Sequence, residues 1–182
     1  MKKPLRQIIL AFCLFPASLS IGTEASAAGF IESAGTALSI ALPATAAGLS
    51  LGSGDKKGTT QLIESTAFTV GVTYGLKYAI NEKRPDGSDN HSFPSLHTAI
   101  SYSAADFMRR RYGWEYGAPA WLAATFVGYS RVEAKKHHVH DVVAGAAIGL
   151  LGNMLFTTPR EGVNVCASVN DGHYGINISA GW

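Results

Sequence analysis

The sequence predicts an all-α fold: a bundle of helices closed by a small C-terminal β-hairpin. Two observations carry this. Long stretches rich in Ala, Gly and apolar residues are broken only at short Gly, Pro and polar punctuation, which marks helix ends rather than domain linkers. After Pro159 the pattern changes to VNVCASV and YGINISAGW, which alternate apolar and polar residues around Asn170-Asp171-Gly172, a hairpin signature.

Taken in order, the chain opens on Lys2, Lys3 and Arg6, an apolar stretch Ile8–Ile21 and the small residues Ala25-Ser26-Ala27, the pattern of an export signal cleaved near Ala28. The apolar stretch is fourteen residues and contains Pro16, short for a span that needs about 20. Cys13 follows Phe12, where a lipidation site needs a small residue, so no lipid anchor is expected. The domain division is therefore 1–27 leader and 28–182 one folded domain, with its motif core over about 60–155.

Residues 30–52 read as a buried helix or helix pair with a kink at Pro43, and Ser53–Gly58 as a polar turn. Thr59–Asn81 reads as a helix carrying Leu62, Ala67, Val70, Val72, Leu76 and Ile80 inward. A loop over 82–93 leads to a helix from about Ser95 to Arg111, stopped at Gly113. Two more helices are expected over about 118–130 and 137–157, then the hairpin over about 162–182.

Composition excludes some classes. At 182 residues one domain with a sizeable core is expected. Removing the leader removes Lys2, Lys3, Arg6 and Glu24 and leaves acidic and basic residues in balance, which argues against a nucleic-acid partner. Only Cys166 remains, so no internal disulfide can form in the mature chain. Uncharged runs from Ser33 to Gly54 and from Val142 to Pro159 are long enough for a membrane, yet their small residues serve close packing in soluble bundles equally well. Oligomeric state is not legible.

Three segments carry the chemistry: KYAINEKRP (Lys77–Pro85), PSLH (Pro94–His97) and SRVEAKKHHVHD (Ser130–Asp141). They supply the cations Lys77, Arg84 and Arg131, the Ser95 hydroxyl, and the imidazoles His97 and His137, with Asp141 four residues beyond His137. A phosphoryl group in transfer spreads charge over its outer oxygens, so its catalysis is chiefly positioning and electrostatic stabilisation. Arg84 precedes Pro85, which biases it out of the helix and frees its guanidinium to bind two oxygens. Ser95 falls at or near a helix N-cap, where its hydroxyl and the following backbone N–H groups suit an anion. Asp141, one helical turn after His137, is within reach to hold one ring nitrogen protonated and aim the other at phosphorus.

The order and spacing, Lys-x6-Arg-Pro, Pro-Ser-x-His and Ser-Arg-x5-His-x3-Asp, resemble the type 2 phosphatidic acid phosphatase (PAP2) family, which shares its core with vanadium haloperoxidases and bacterial acid phosphatases. The resemblance implies a helical bundle and a metal-independent phosphatase with no cofactor. It implies that His137 is the nucleophile forming a phosphohistidine, that His97 is the acid protonating the leaving alkoxide, and that Asp141 orients His137. Lys77, Arg84, Ser95, the Leu96 backbone and Arg131 would bind the phosphate. Leu96 stands where the family most often has glycine; leucine restricts φ and adds bulk, so either the local backbone is ordinary helix or the pocket is narrowed. Only His137 is both six residues beyond Arg131 and four before Asp141; His138 and His140 read as solvent-facing or supporting.

The implied substrate is a phosphomonoester or pyrophosphate, of a lipid in preference to a small soluble ester, in the periplasm or cell envelope, with a membrane surface as partner or free in the periplasm. A vanadium haloperoxidase is the alternative within the fold, although family haloperoxidases are much longer. A non-catalytic phospholipid-binding envelope protein is the alternative outside enzymes. A zinc site from HHVHD with His97 fits the residue types but not the three accompanying cations. Arg109–Arg111, followed by Tyr112, Trp114 and Tyr116, read as cations at a helix C-terminus with aromatics in the core, or as a basic patch touching an anionic membrane.

Overall fold

The computed structural model describes residues 27–160, 163–170 and 173–180, with side chains described over 29–160. The expected leader lies outside the described residues apart from Ala27. Five helices follow one another: α1 Ala27–Gly52, α2 Lys56–Ile80, α3 Leu96–Tyr112, α4 Trp114–Glu133 and α5 Val139–Phe156. The backbone then runs as two extended segments, β1 Val163–Asn170 and β2 His173–Ala180, in antiparallel register with Val163 opposite Ala180. Among the described residues neither segment packs against a helix, so the expected closing of the bundle by the hairpin finds no contact here.

Helix α3 occupies the centre and touches the other four, while α1 packs on α4 and α2 on α5. It can do so because its buried positions are mostly small: Thr98, Ala99, Ser101, Ser103, Ala104 and Ala105. The apolar core gathers along its C-terminal half, where Phe107 and Met108 meet Leu42, Ala46, Leu62, Ala120 and Ala124. The bundle's other end, at the N-terminus of α3, is left for polar residues.

Helices α5 and α3 approach backbone to backbone. A Cβ on Gly145 would run into the Ser95 carbonyl, and one on Gly149 would strike the Ala99 carbonyl and lie 2.8 Å from Ser103 N. Gly145 and Gly149, four residues apart, are therefore the contact itself. One turn on, buried Asn153 donates to the Ser103 carbonyl at 2.7 Å and accepts from the Thr157 hydroxyl at 2.7 Å.

The same closeness corrects the expected face of α2. Its buried stripe is Leu62, Ser65, Thr69, Thr73 and Lys77, whereas Ala67 and Ile80 are exposed and Val70, Val72 and Leu76 only half-buried. A Cβ on Gly152 of α5 would lie 2.8 Å from Thr69 Oγ1 and 3.0 Å from the Ser65 carbonyl, so the interface has room for hydroxyls and none for Ile. Large apolar side chains instead face outward, including Ile40, Ile63, Leu122, Val143, Leu151, Met154 and Leu155.

Residues 27–52 form one helix that includes Pro43, the first of the two expected alternatives, and α2 begins at Lys56, inside the expected polar turn. Helix α4 starts at Trp114, before Pro119, because Gly113 (φ 92°) turns the chain and its carbonyl accepts from Tyr116 and Gly117.

The end of the bundle away from the site is held by Asp55. It caps α2 by accepting from Gly58 N at 2.9 Å and takes both Nε and Nη2 of buried Arg111, at 2.7 and 2.6 Å. That guanidinium holds the Asp55 carboxyl well below the usual carboxylate range. Arg111 also donates to the Thr158 and Pro159 carbonyls. Arg109 and Arg110 both donate to buried Asp106 at 2.6 Å, and Arg109 lies over exposed Trp114. The arginine triplet is thus neither a simple helix-end complement nor a free basic patch.

Gly149→Ala should lower the unfolding free energy by about 2–3 kcal/mol, because the added methyl meets backbone that cannot repack. Gly48→Ala, with open space around it, should leave stability unchanged or raise it by about 0.5–1 kcal/mol. Denaturant unfolding followed by circular dichroism reads both.

Candidate active site

The three motif segments meet at the end of the bundle formed by the start of α1, the end of α2, the start of α3, the end of α4 and the start of α5. Four of the expected residues, Arg84, His97, Arg131 and His137, line one open cavity of about 380 Å³. Arg84 leaves the loop after α2, donating from Nε to Asp89 at 2.8 Å and from Nη1 to the Lys136 carbonyl. Arg131 is buried in the last turn of α4, its Nη2 donating to the Glu32 carbonyl at 2.6 Å and its Nε to the Ser130 hydroxyl. Both guanidiniums are oriented by the protein before any ligand arrives.

Asp141 stands behind His137. Its Oδ2 accepts from the Ser92 hydroxyl at 2.5 Å and from His138 N at 2.8 Å, and lies 3.5 Å from His137 Nδ1. Its backbone carbonyl accepts from Ser95 N at 3.0 Å. The sequence put His137 and Asp141 on one helical face; in the structure α5 begins only at Val139, with His138 as its N-cap. The pair is therefore made across a helix N-terminus. Because Nδ1 faces the carboxylate, Nε2 is the nitrogen left for the cavity.

Lys77, Ser95 and Leu96 do not line the cavity. The Lys77 ammonium is buried and donates to the carbonyls of His91, Ser92 and Pro94, at 2.6, 3.4 and 3.0 Å. It ties the loop carrying Ser92 to the end of α2. Ser95 is the N-cap of α3 but makes no side-chain capping bond; its buried hydroxyl accepts from Thr98 Oγ1 at 3.0 Å. Leu96 opens the helix and contributes its backbone to the first turn.

Charge and burial act together on the imidazoles. Burial, reinforced by Arg84 and Lys77, pushes His137 down to about 4 against the pull of Asp141. Burial also lowers His97, helped by Arg131, Arg84 and Lys77. An arriving phosphate dianion offsets those cations and favours protonation of His97.

Several cavity residues had no motif to announce them. Glu32 and Thr36 come from α1, and Ser88, Asp89 and Lys136 from the loops. Lys136 pairs with Asp86 at 2.8 Å. The one available signal was that Glu32 is the lone charged residue between Ala25 and Gly54. At Gly35, a Cβ would strike the Ser130 side chain and lie 2.9 Å from Arg131 Nη2, which is how α1 comes close enough to wall the site. His138 and His140 are not idle at the surface: both lie against Glu82.

The profile of the PAP2 superfamily matches residues 58–160, and so spans every motif segment. The chain belongs to the PAP2 superfamily. Among PAP2 relatives, the lipid A 4'-phosphatase of Helicobacter pylori is 29% identical over 99% of this chain and all of its own length. The lipid A 1-phosphatase of Porphyromonas gingivalis is 33% identical over 54% of this chain, and the chain spans only 24% of that relative. The crystal structure of Aquifex aeolicus LpxE superposes with a TM-score of 0.53 at 23% identity, covering 66% of this chain and 83% of that one. That likeness is one of fold and fits the helical PAP2 bundle described above. The two named relatives are phosphoric-monoester hydrolases, the enzyme class the motifs imply.

Lys77→Met should destabilise the fold by about 2–3 kcal/mol, since it strips a charged donor from three carbonyls in a mostly buried place. A thermal melt of the variant against the parent chain reads this without any substrate.

Proposed function

We propose that this chain is a metal-independent phosphatase that releases phosphate from a phosphorylated lipid of the lipid A class through a phosphohistidine on His137. The observation that carries the reading is the convergence of two preset guanidiniums and two imidazoles on one cavity, with a buried carboxylate behind one imidazole only. That asymmetry assigns the roles. His137, backed by Asp141, is the nucleophile; His97, which among the described residues makes no ion pair and feels the Glu32 carboxylate only as the weakest of the charges around it, is the acid.

In the first step the His137 Nε2 lone pair attacks phosphorus and the phosphorus–oxygen ester bond breaks. The departing alkoxide takes its proton from His97. In the second step neutral His97 accepts a proton from water, whose oxygen attacks phosphorus and releases inorganic phosphate from Nε2. Arg84 and Arg131 hold the outer oxygens through both steps. Lys77 and Ser95 support the site through the loop and the cap.

The lipid preference rests on the full-length likeness to a lipid A 4'-phosphatase and on the apolar side chains that face outward. Two helical stretches, Gly29–Gly52 and Val139–Phe156, are long and apolar enough to cross a membrane. We place the chain in the cell envelope at a membrane surface, exported by the leader read in residues 1–27. The C-terminal hairpin belongs to the same proposal, supported by the antiparallel register of β1 and β2.

The test is phosphate release by detergent-solubilised protein from lipid A 1-phosphate, lipid A 4'-phosphate, other lipid phosphates and small soluble esters, all with chelator present. Turnover concentrated on a lipid A phosphate is expected, with His137→Ala reduced by about 10³-fold or more. Equal turnover of soluble esters would remove the lipid assignment, and undiminished turnover in His137→Ala would remove the phosphohistidine. Vanadate, whose five-coordinate form resembles the transition state, should inhibit strongly. Chelator should leave the rate unreduced.

A further inference from the structure

Around Asp141, beside the His137 contact, four side chains from two segments meet. Glu82 follows the end of α2 and is fixed there by its carbonyl, which accepts from Ser92 N at 2.9 Å. Its Oε1 lies 2.8 Å from His140 Nε2 and 3.2 Å from His138 Nδ1. His140 Nε2 in turn lies 3.1 Å from Asp141 Oδ1, and His138 Nδ1 is 3.5 Å from Oδ2. The two imidazoles are stacked, centroids 5.1 Å apart and planes 11° from parallel. One donor atom from each of the four residues falls within 4.8 Å of all the others.

A second observation points the same way. Asp141 is fully buried, and among the described residues its Oδ1 accepts no hydrogen bond. A buried carboxylate oxygen with both lone pairs unused is costly, and this one is aimed at His140 inside the cluster. A cation would satisfy it.

We propose that Glu82, His138, His140 and Asp141 form a divalent-cation site of the zinc class beside the phosphate cavity, and that its occupation slows the phosphatase reaction. The spacings approach those of such a site: bonds of about 2.0–2.1 Å arranged tetrahedrally put neighbouring donors about 3.3–3.4 Å apart, against 2.8 Å for Glu82 Oε1–His140 Nε2, 3.2 Å for Glu82 Oε1–His138 Nδ1 and 3.1 Å for His140 Nε2–Asp141 Oδ1, with all four donors within 4.8 Å of one another. Two imidazole nitrogens and two carboxylate oxygens suit zinc rather than calcium or magnesium, which take all-oxygen sets. The expected objection, repulsion by the cavity cations, weakens with this ligand set. His97 is not part of it, Arg84 and Arg131 face the cavity that His137 lines, and Glu82 and Asp141 bring two negative charges. His138 and His140 are partly exposed, so the ion has access from solution.

The effect on turnover rests on the phosphohistidine reading. Asp141 would serve the metal through Oδ1 and His137 through Oδ2. A dication on the first oxygen withdraws charge from the second and weakens the support for a positive imidazole at His137.

The probe is cobalt(II), added to the purified full-length chain after chelator treatment and followed by its visible absorption. One equivalent should give tetrahedral-type bands that zinc displaces, and His140→Ala and Glu82→Gln should each weaken cobalt binding about 10–100-fold. In the phosphate-release assay, zinc should slow the parent chain about tenfold or more, while His140→Ala keeps its basal rate and loses the response. Absent bands, bands unchanged in both variants, or equal zinc inhibition of His140→Ala would overturn the site. The cobalt measurement needs no turnover, so its failure is distinct from failure of the phosphatase reading.

Discussion

Asp141 is the point through which the site holds together. One residue engages Ser95 through its backbone carbonyl, Ser92 and His138 through Oδ2, and His137 at ion-pair distance. It thereby fixes the PSLH segment, the start of α5 and one imidazole relative to each other. Its position depends on α5 reaching the central helix, and that depends on Gly145 and Gly149, where no side chain intervenes between backbones. The chemistry at one end of the bundle is therefore supported by the absence of side chains along its length.

This packing inverts the usual distribution of polarity. Ser65, Thr69, Thr73 and Lys77 of α2 face inward while Tyr74, Tyr78 and Ile80 face outward. Most inward polar groups find partners locally or across the interface: Ser65 and Thr69 donate to carbonyls one turn back, and Asn153 spans to Ser103, whereas the buried Thr73 and Ser101 hydroxyls have no partner among the described residues. A bundle of this kind draws less of its cohesion from apolar burial and more from close backbone approach and satisfied polar groups.

The same inversion explains what the sequence revealed and what it hid. Helix number and the main breaks were legible because Gly113 and the loop around Pro85 and Pro94 interrupt helices for local reasons. The facing of α2 was not, because hydrophobic periodicity assumes that the larger apolar side chains go inside. Arg84, His97, Arg131 and His137 could be placed together because their residue types and spacings are tied to one chemistry. Lys77 was assigned to phosphate on the same grounds, yet its ammonium is taken up by three carbonyls, a partner choice that spacing cannot disclose. Glu32 and Thr36 were invisible as site residues because each reaches the site through tertiary packing and belongs to no motif, and Glu82 because it stands at an unspecified position between Lys77 and Arg84.

The wall that α1 gives the cavity has a practical side. Glu32 lies four residues after Ala28, about 6 Å along a helix axis, and both its carbonyl and its side-chain position belong to the Arg131 end of the cavity. Any purification tag fused directly before Ala28 would begin one turn from the mouth of the cavity that Arg84, His97, Arg131 and His137 line.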